Sequence, residues 1–210
     1  MIFSIVCKCI SQVNKEDIIN SVRSIRRYHP EDLIIVVDSG SPDKSYFDSI
    51  REVNNLIIED INNLSYETGA MWFVYEKYHS DVYVFMQDSM TINRSLNEFK
   101  DSNIKVINVY NAWMGANSGD KDFAKREMEK TQYTYREDNF KMVQFNSLLV
   151  KRNVLDKLKN KGFNNIVPLD KHGSCAMERV LGIGLTDEGY LNNDYLFPPN
   201  TFTKIWRHRR

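Results

Sequence analysis

Cysteine is scarce in this chain. The three residues Cys7, Cys9 and Cys175 are too few for the disulfide framework that staples small secreted domains, so a reducing, cytoplasmic setting is the expectation. Neither sign of charge prevails: 28 Lys and Arg balance 28 Asp and Glu. Without a basic field there is little to draw a nucleic-acid backbone, and composition argues against a nucleic-acid partner. Long apolar runs are missing too. Stretches such as residues 33–37 fall far short of the ~20 residues that cross a bilayer, so no transmembrane segment is read. Residues 1–10 are apolar but contain Lys8, and they lack the basic leader and small-residue cleavage site of a targeting segment. Several catalytic signatures are also absent. There is no Gly-x-Ser-x-Gly elbow and no phosphate-loop Gly-Lys-Ser/Thr. Cys7-Lys-Cys9 has no second pair to complete a zinc site. Gly182-Ile-Gly184 lacks the third glycine of a dinucleotide fingerprint.

What is present suits one domain with a sizeable core: 210 residues, 42% apolar and 12% aromatic. Residues 2–10 form a β-branched, apolar run that reads as a buried strand, with Cys7 and Cys9 pointing the same way into a core. Asn14 is the expected N-cap of a helix whose Ile18, Val22 and Ile25 share a face, and His29-Pro30 ends it. Residues 33–37 read as a central strand covered on both sides, closed by the polar turn Asp38-Ser-Gly-Ser-Pro-Asp43. The pattern repeats with a short helix at 46–53, a strand at 56–59, a helix at 70–78 entered through Thr68-Gly69, and a strand at 82–86. Alternating strands and helices imply right-handed crossovers and an α/β class with a mostly parallel central sheet flanked by helices. Residues 104–110 and 145–150 read as further strands, 154–161 and 175–181 as helices. The polar stretch 111–139 reads as a functional loop or lid around a solvated helix. The aromatics dense between Tyr66 and Trp113 read as core for the most part, Trp113 with them, although its place past a strand end also suits stacking on a sugar.

Two strands end in acids, Val37-Asp38 and Met86-Gln87-Asp88. Ligands of open α/β sheets bind beyond such strand ends. A carboxylate there can accept from a base or ribose, hold a divalent cation, or merely cap a turn. Taken together, residues 2 to about 93 resemble the nucleotide-binding half of a GT-A-fold glycosyltransferase. The matching pieces are the first strand, Ile34-Ile-Val-Val-Asp-Ser-Gly-Ser-Pro-Asp43, Glu67-Thr-Gly-Ala70 and Val84-Phe-Met-Gln-Asp-Ser89. Asn146-Ser-Leu-Leu-Val-Lys-Arg152 and Cys175-Ala-Met-Glu-Arg179 are similar to the acceptor side. The chain also resembles glycosyltransferase domains encoded by large algal viruses, which would place it in the host cytoplasm, and it can equally be part of a longer polypeptide.

The resemblance implies a single GT-A-like domain over 1–210, with a nucleotide-binding half at 1–93 and an acceptor half with the C-terminal tail at 94–210. It implies an enzyme that moves a sugar from a nucleotide diphosphate sugar, UDP-linked, to a hydroxyl of a glycan acceptor. Asp38, Ser39 and Gly69 would meet the nucleotide. Asp88 would hold Mn²⁺ (or Mg²⁺), yet the family's Asp-x-Asp is here Gln87-Asp88-Ser89-Met90. The missing ligand would come from His208, and imidazole favours Mn²⁺. Lys204 and Arg207, in the basic tail around Trp206, would offset the charge of the diphosphate leaving group. Glu178 would be the general base, with Asp170 the second choice. Two other readings stay open. A sugar nucleotidyltransferase needs a Gly- and Lys-rich loop where Ser11-Gln-Val-Asn14 stands. A non-catalytic sugar- or nucleotide-binding domain needs only the cleft.

Overall fold

The computed structural model describes residues 1–62, 65–192 and 194–205. The chain opens with β1 (Ile2–Cys7), α1 (Gln12–Tyr28), β2 (Leu33–Ser39), α2 (Tyr46–Ile50), β3 (Leu56–Ile61), α3 (Tyr66–Lys77) and β4 (Val82–Gln87). Short strands β5 (Met90–Ile92), β6 (Ile104–Val106) and β7 (Val109–Asn111) follow, then α4 (Ser118–Met128), β8 (Lys141–Val143) and β9 (Leu148–Lys151). The described chain ends with α5 (Arg152–Asn160), α6 (Lys171–Asp187) and β10 (Phe202–Lys204).

The main sheet has six strands in the order β3-β2-β1-β4-β9-β6. The first four are mutually parallel, and β9 runs against both of its neighbours. The α/β class with a mostly parallel sheet is therefore as expected, with one reversed strand. Strand parity sorts the core. Phe3, Ile5, Cys7, Ile34, Val36, Val84 and Met86 pack under α1 and α2. Ile35, Val37, Tyr83 and Phe85 pack with α3, α5 and α6 on the other face. Each such side chain, fully buried, contributes ~1.5–3 kcal/mol, which is why β-branched runs specify these strands.

Several boundaries differ from the sequence reading. Strand β1 stops at Cys7, and α1 is capped by Ser11, whose Oγ accepts from the Asn14 N–H at 3.4 Å. Asn14 therefore sits inside the first turn. The run 104–110 splits: β6 joins the main sheet while β7 pairs with β8. The segment 111–139 is not a lid. Its Trp113, Phe123, Ala124, Met128 and Tyr133 are buried, and α4 lies against α6 behind a capping box of Asn117 and Asp120. Helix α6 is also far longer than 175–181. Among the described residues no helix is long and apolar enough to cross a membrane.

Candidate functional site

The strand order places β2 and β3 on one side of β1 and β4 on the other. The carboxyl ends of β1 and β4 thus flank a topological switch point, the place where open α/β sheets take their ligands. Register aligns the ends: Cys7 lies beside Asp38, and Val6 beside Gln87.

On the α1 side the ends are tied down. Asp38 is fully buried; its Oδ1 accepts from the Ser41 N–H at 2.8 Å and its Oδ2 from the Tyr46 hydroxyl. Ser41 Oγ in turn accepts from the Cys9 N–H at 2.7 Å, and the Cys7 thiol lies 3.1 Å from the Tyr46 hydroxyl. Burial, with Cys7 and Asp38 alongside, raises the Tyr46 hydroxyl well above its usual range. The hydrogen bond with Cys9, and then burial, does the same to the Cys7 thiol. Asp38 therefore ties the turn that carries Ser39 and Gly40, rather than opening its carboxylate to the cleft. Gly40 takes φ +77°, a conformation this turn could not give to a β-branched residue.

The α3 side carries a polar relay. Gln87 Nε2 donates to Glu67 Oε1 at 2.6 Å, and Gln87 Oε1 accepts from Lys204 Nζ at 2.5 Å. Lys204 also donates to Ser89 Oγ, and Ser174 Oγ donates to Glu67 Oε2 at 3.3 Å. Helices α3 and α6, the end of β4, and β10 meet here. Strand β10 pairs antiparallel with β5 and sets Lys204 opposite Met90, while the Ile205 N–H bonds the Ser89 carbonyl at 2.9 Å. Asp88 lies between, half-buried, its N–H on the Val6 carbonyl at 3.2 Å. Burial pushes its carboxyl up to about 6; Lys204 pulls it down, while Asp17 and Glu67 push it up.

The remaining expected residues fall as follows. The Gly69 N–H bonds the Ser65 carbonyl at 2.9 Å, within the first turn of α3 and next to Glu67. Asp170 is exposed and caps α6, its Oδ1 accepting from the Gly173 N–H at 2.7 Å. Glu178 is half-buried one turn beyond Ser174, on the same stripe of α6. Arg207 and His208 lie outside the described residues. Trp113 is core, as expected, with its Nε1 donating to the Arg136 carbonyl at 3.0 Å.

Two residues not assigned from sequence stand out. Asn146, just before β9, is buried at φ +48°, and its Oδ1 has no hydrogen-bond partner. It lines a small niche with Ser4, Glu67, Met71 and Phe85. A buried unpaired amide oxygen costs ~1–3 kcal/mol, a cost that a ligand donor would remove. Tyr66 is exposed at φ +51°, a strained conformation for an aromatic residue, at the entry to α3. Of the two, only Asn146 stands in a stretch set apart from sequence, Asn146-Ser-Leu-Leu-Val-Lys-Arg152.

The described residues do not fit a divalent metal. Hard cations want several oxygen ligands, mostly anionic. Here Asp88 is flanked by two neutral oxygens, Gln87 Oε1 and Ser89 Oγ, that already accept from an ammonium, and both oxygens of the neighbouring Glu67 already accept from Gln87 and Ser174. No cluster of three or more His, Cys, Asp or Glu suited to a metal occurs among the described residues.

No protein-family model and no curated protein sequence matches the chain. Solved structures do. The galactosyltransferase LgtC, in complex with donor and acceptor sugar analogues, is similar at 10% identity with a TM-score of 0.55, over 97% of this chain and 86% of that one. An active-site mutant of LgtC gives 0.51 at 10% identity and the same coverage. A 1–349 fragment of S. aureus TarS gives 0.48 at 14% identity over 87% of this chain, which spans 56% of the fragment. The fold is that of the GT-A glycosyltransferases, a mixed α/β architecture around a mostly parallel sheet.

Proposed function

We propose that this chain is a glycosyltransferase that moves a sugar from a nucleotide diphosphate sugar, UDP-linked, to a hydroxyl of a glycan. One observation carries the reading: a charged relay of Glu67, Gln87, Lys204 and Ser89, beside Asp88, stands at the switch point of the sheet. The fold shared with LgtC supports it. In this reading residues 1–93 and 94–210 act as one domain. The nucleoside lies across the ends of β1 and β2, against the turn that Asp38 ties and Ser39 lines, with Gly69 leaving room at α3. Lys204, and Arg207 beyond the described residues, face the diphosphate.

In a direct displacement the acceptor oxygen attacks the anomeric carbon. The bond from that carbon to the β-phosphate oxygen breaks, its electron pair leaves with the nucleoside diphosphate, and the acceptor proton passes to a base. Glu178 is that base in our reading, since the Ser174 stripe of α6 is turned toward Glu67 and the strand ends. Asp170 is second choice because its carboxylate serves the helix start. Metal assistance through Asp88 and His208 rests on resemblance alone, and no step is routed through it. A viral origin and a cytoplasmic setting rest on resemblance and cysteine usage.

The test is a screen of UDP-, GDP- and dTDP-sugars with glycan acceptors, read by release of nucleoside diphosphate and by glycan mass. UDP-sugar turnover is expected, falling ~10²–10⁴-fold in Glu178→Gln while the nucleotide still raises the melting temperature. Nucleotide binding with no turnover of any donor would favour the non-catalytic binding domain.

A further inference from the structure

We infer that Lys204 is the fixed cation of the diphosphate site, standing where a GT-A enzyme would use a divalent ion, so that nucleotide binding needs no metal. The inference rests on the nucleotide-sugar reading above and names the chemistry that replaces its expected cofactor. Three observations support it.

First, the ammonium already occupies the oxygens a metal would need. Lys204 Nζ is held by Gln87 Oε1 at 2.5 Å and by Ser89 Oγ, the residues on either side of Asp88. A divalent ion on Asp88 would share that space with a like charge and would have to displace it.

Second, the two ends of the Gln87 amide suit this arrangement. Its amide donates to Glu67 at 2.6 Å while its oxygen accepts from Lys204. A carboxylate in its place could accept from the lysine but would oppose the Glu67 carboxylate, with no proton to offer it. Glutamine is the side chain that can bridge an anion and a cation.

Third, the lysine is placed by backbone and not by a loose tail. Pairing of β10 with β5 sets Lys204 opposite Met90, and the Ile205 N–H bonds the Ser89 carbonyl at 2.9 Å. Phe202 packs on Phe197 with ring centroids 4.9 Å apart, anchoring the strand from its other end. A cation set in position before the reaction stabilises developing phosphate charge without reorganisation. The charge balance also works. Asp88, Glu67 and Asp17 surround the half-buried ammonium with acids.

The test is calorimetric titration of UDP into the full chain, once after exhaustive EDTA treatment and once with excess Mn²⁺. The two affinities should agree within about threefold, less than ~0.7 kcal/mol. Lys204→Gln should weaken binding about tenfold or more in both conditions, with Mn²⁺ giving no rescue, whereas Lys204→Arg should keep most of the affinity. Circular dichroism and the urea midpoint of each variant separate lost binding from lost folding. Binding that disappears in EDTA and returns with Mn²⁺ would overturn this inference and leave the nucleotide-sugar reading intact. So would a folded Lys204→Gln chain that binds like the parent. No UDP binding in either condition would overturn both.

Discussion

Asp88 is held just past the end of β4 at a cost to stability. Burial raises its carboxyl to about 6, above the ordinary 3.8 of an aspartate. Between those two values the folded chain binds more protons than the unfolded one, so stability falls as pH rises through that window. At neutral pH the ionised group opposes folding. Replacing it by the neutral isostere, Asp88→Asn, should therefore stabilise the chain by about 1–2 kcal/mol at pH 7.5, after allowing for its partial exposure. The gain should fade as pH drops from 6 toward 4. Urea unfolding at pH 7.5 and at pH 4.5 measures both arms; a variant less stable than the parent at pH 7.5 would refute the assignment. A residue whose removal stabilises the fold is kept for another purpose, and sugar transfer should fall in the same variant. Residue identity at this strand end was legible, since an acid after a buried strand is a local signal. The direction of Asp38 was not. Its inward turn depends on Tyr46 and Ser41, and a hydroxyl eight residues away gives no pattern along the chain.

The elements legible from sequence are those whose neighbours in the chain are also neighbours in the core. Strands β2 and β4 are continuous apolar runs covered on both faces, and α1 shows a clean stripe of Ile18, Val22 and Ile25. The segment 111–139 reads as a loop because its buried Phe123, Met128 and Tyr133 are spaced irregularly among charges. Only contact with α6 gives them a common inside. The full length of α6, read only over 175–181, is hidden for a related reason, since Gly173, Gly182 and Gly184 lower its local helix propensity. The structure shows what Gly182 does. A Cβ there would lie 1.8 Å from the Lys141 carbonyl oxygen, so α6 touches the backbone of β8 at that point. At Gly184 a Cβ would meet only the side chains of Leu158 and Phe163, each at 3.2 Å. Gly182→Ala must therefore part helix and strand and should cost about 3 kcal/mol or more, whereas Gly184→Ala should cost about 1 kcal/mol or less. Melting temperatures of the two variants decide the matter; equal losses would mean the close approach is not what selects glycine.

At the scale of the whole molecule, the sheet and the cleft are built by different parts of the chain. The parallel set β3-β2-β1-β4 comes from the first ninety or so residues, and β9 and β6 complete it, with β10 absent from it altogether. Parallel order followed from alternating strands and helices, but the reversal of β9 could not, because an apolar run such as 145–150 reads the same in either direction. Among the described residues β10 pairs only with β5, the short strand just after Asp88 and Ser89, so residues 202–204 return to clasp the turn that carries the site. This separation is open to test. A chain ending at Thr201 loses Lys204, the pairing of β10 with β5 and the Phe202 ring against Phe197 but, among the described residues, none of the hydrogen bonds of the main sheet. Losing one half-buried phenylalanine and a three-residue strand pairing should cost about 2–4 kcal/mol, within the margin of a domain of this size. The shortened chain should keep the far-ultraviolet dichroism and cooperative unfolding of the parent while losing UDP binding by calorimetry. If it still binds UDP, the cation at the site lies elsewhere. If it fails to fold, the C-terminal strand belongs to the scaffold, and site and sheet are one cooperative unit.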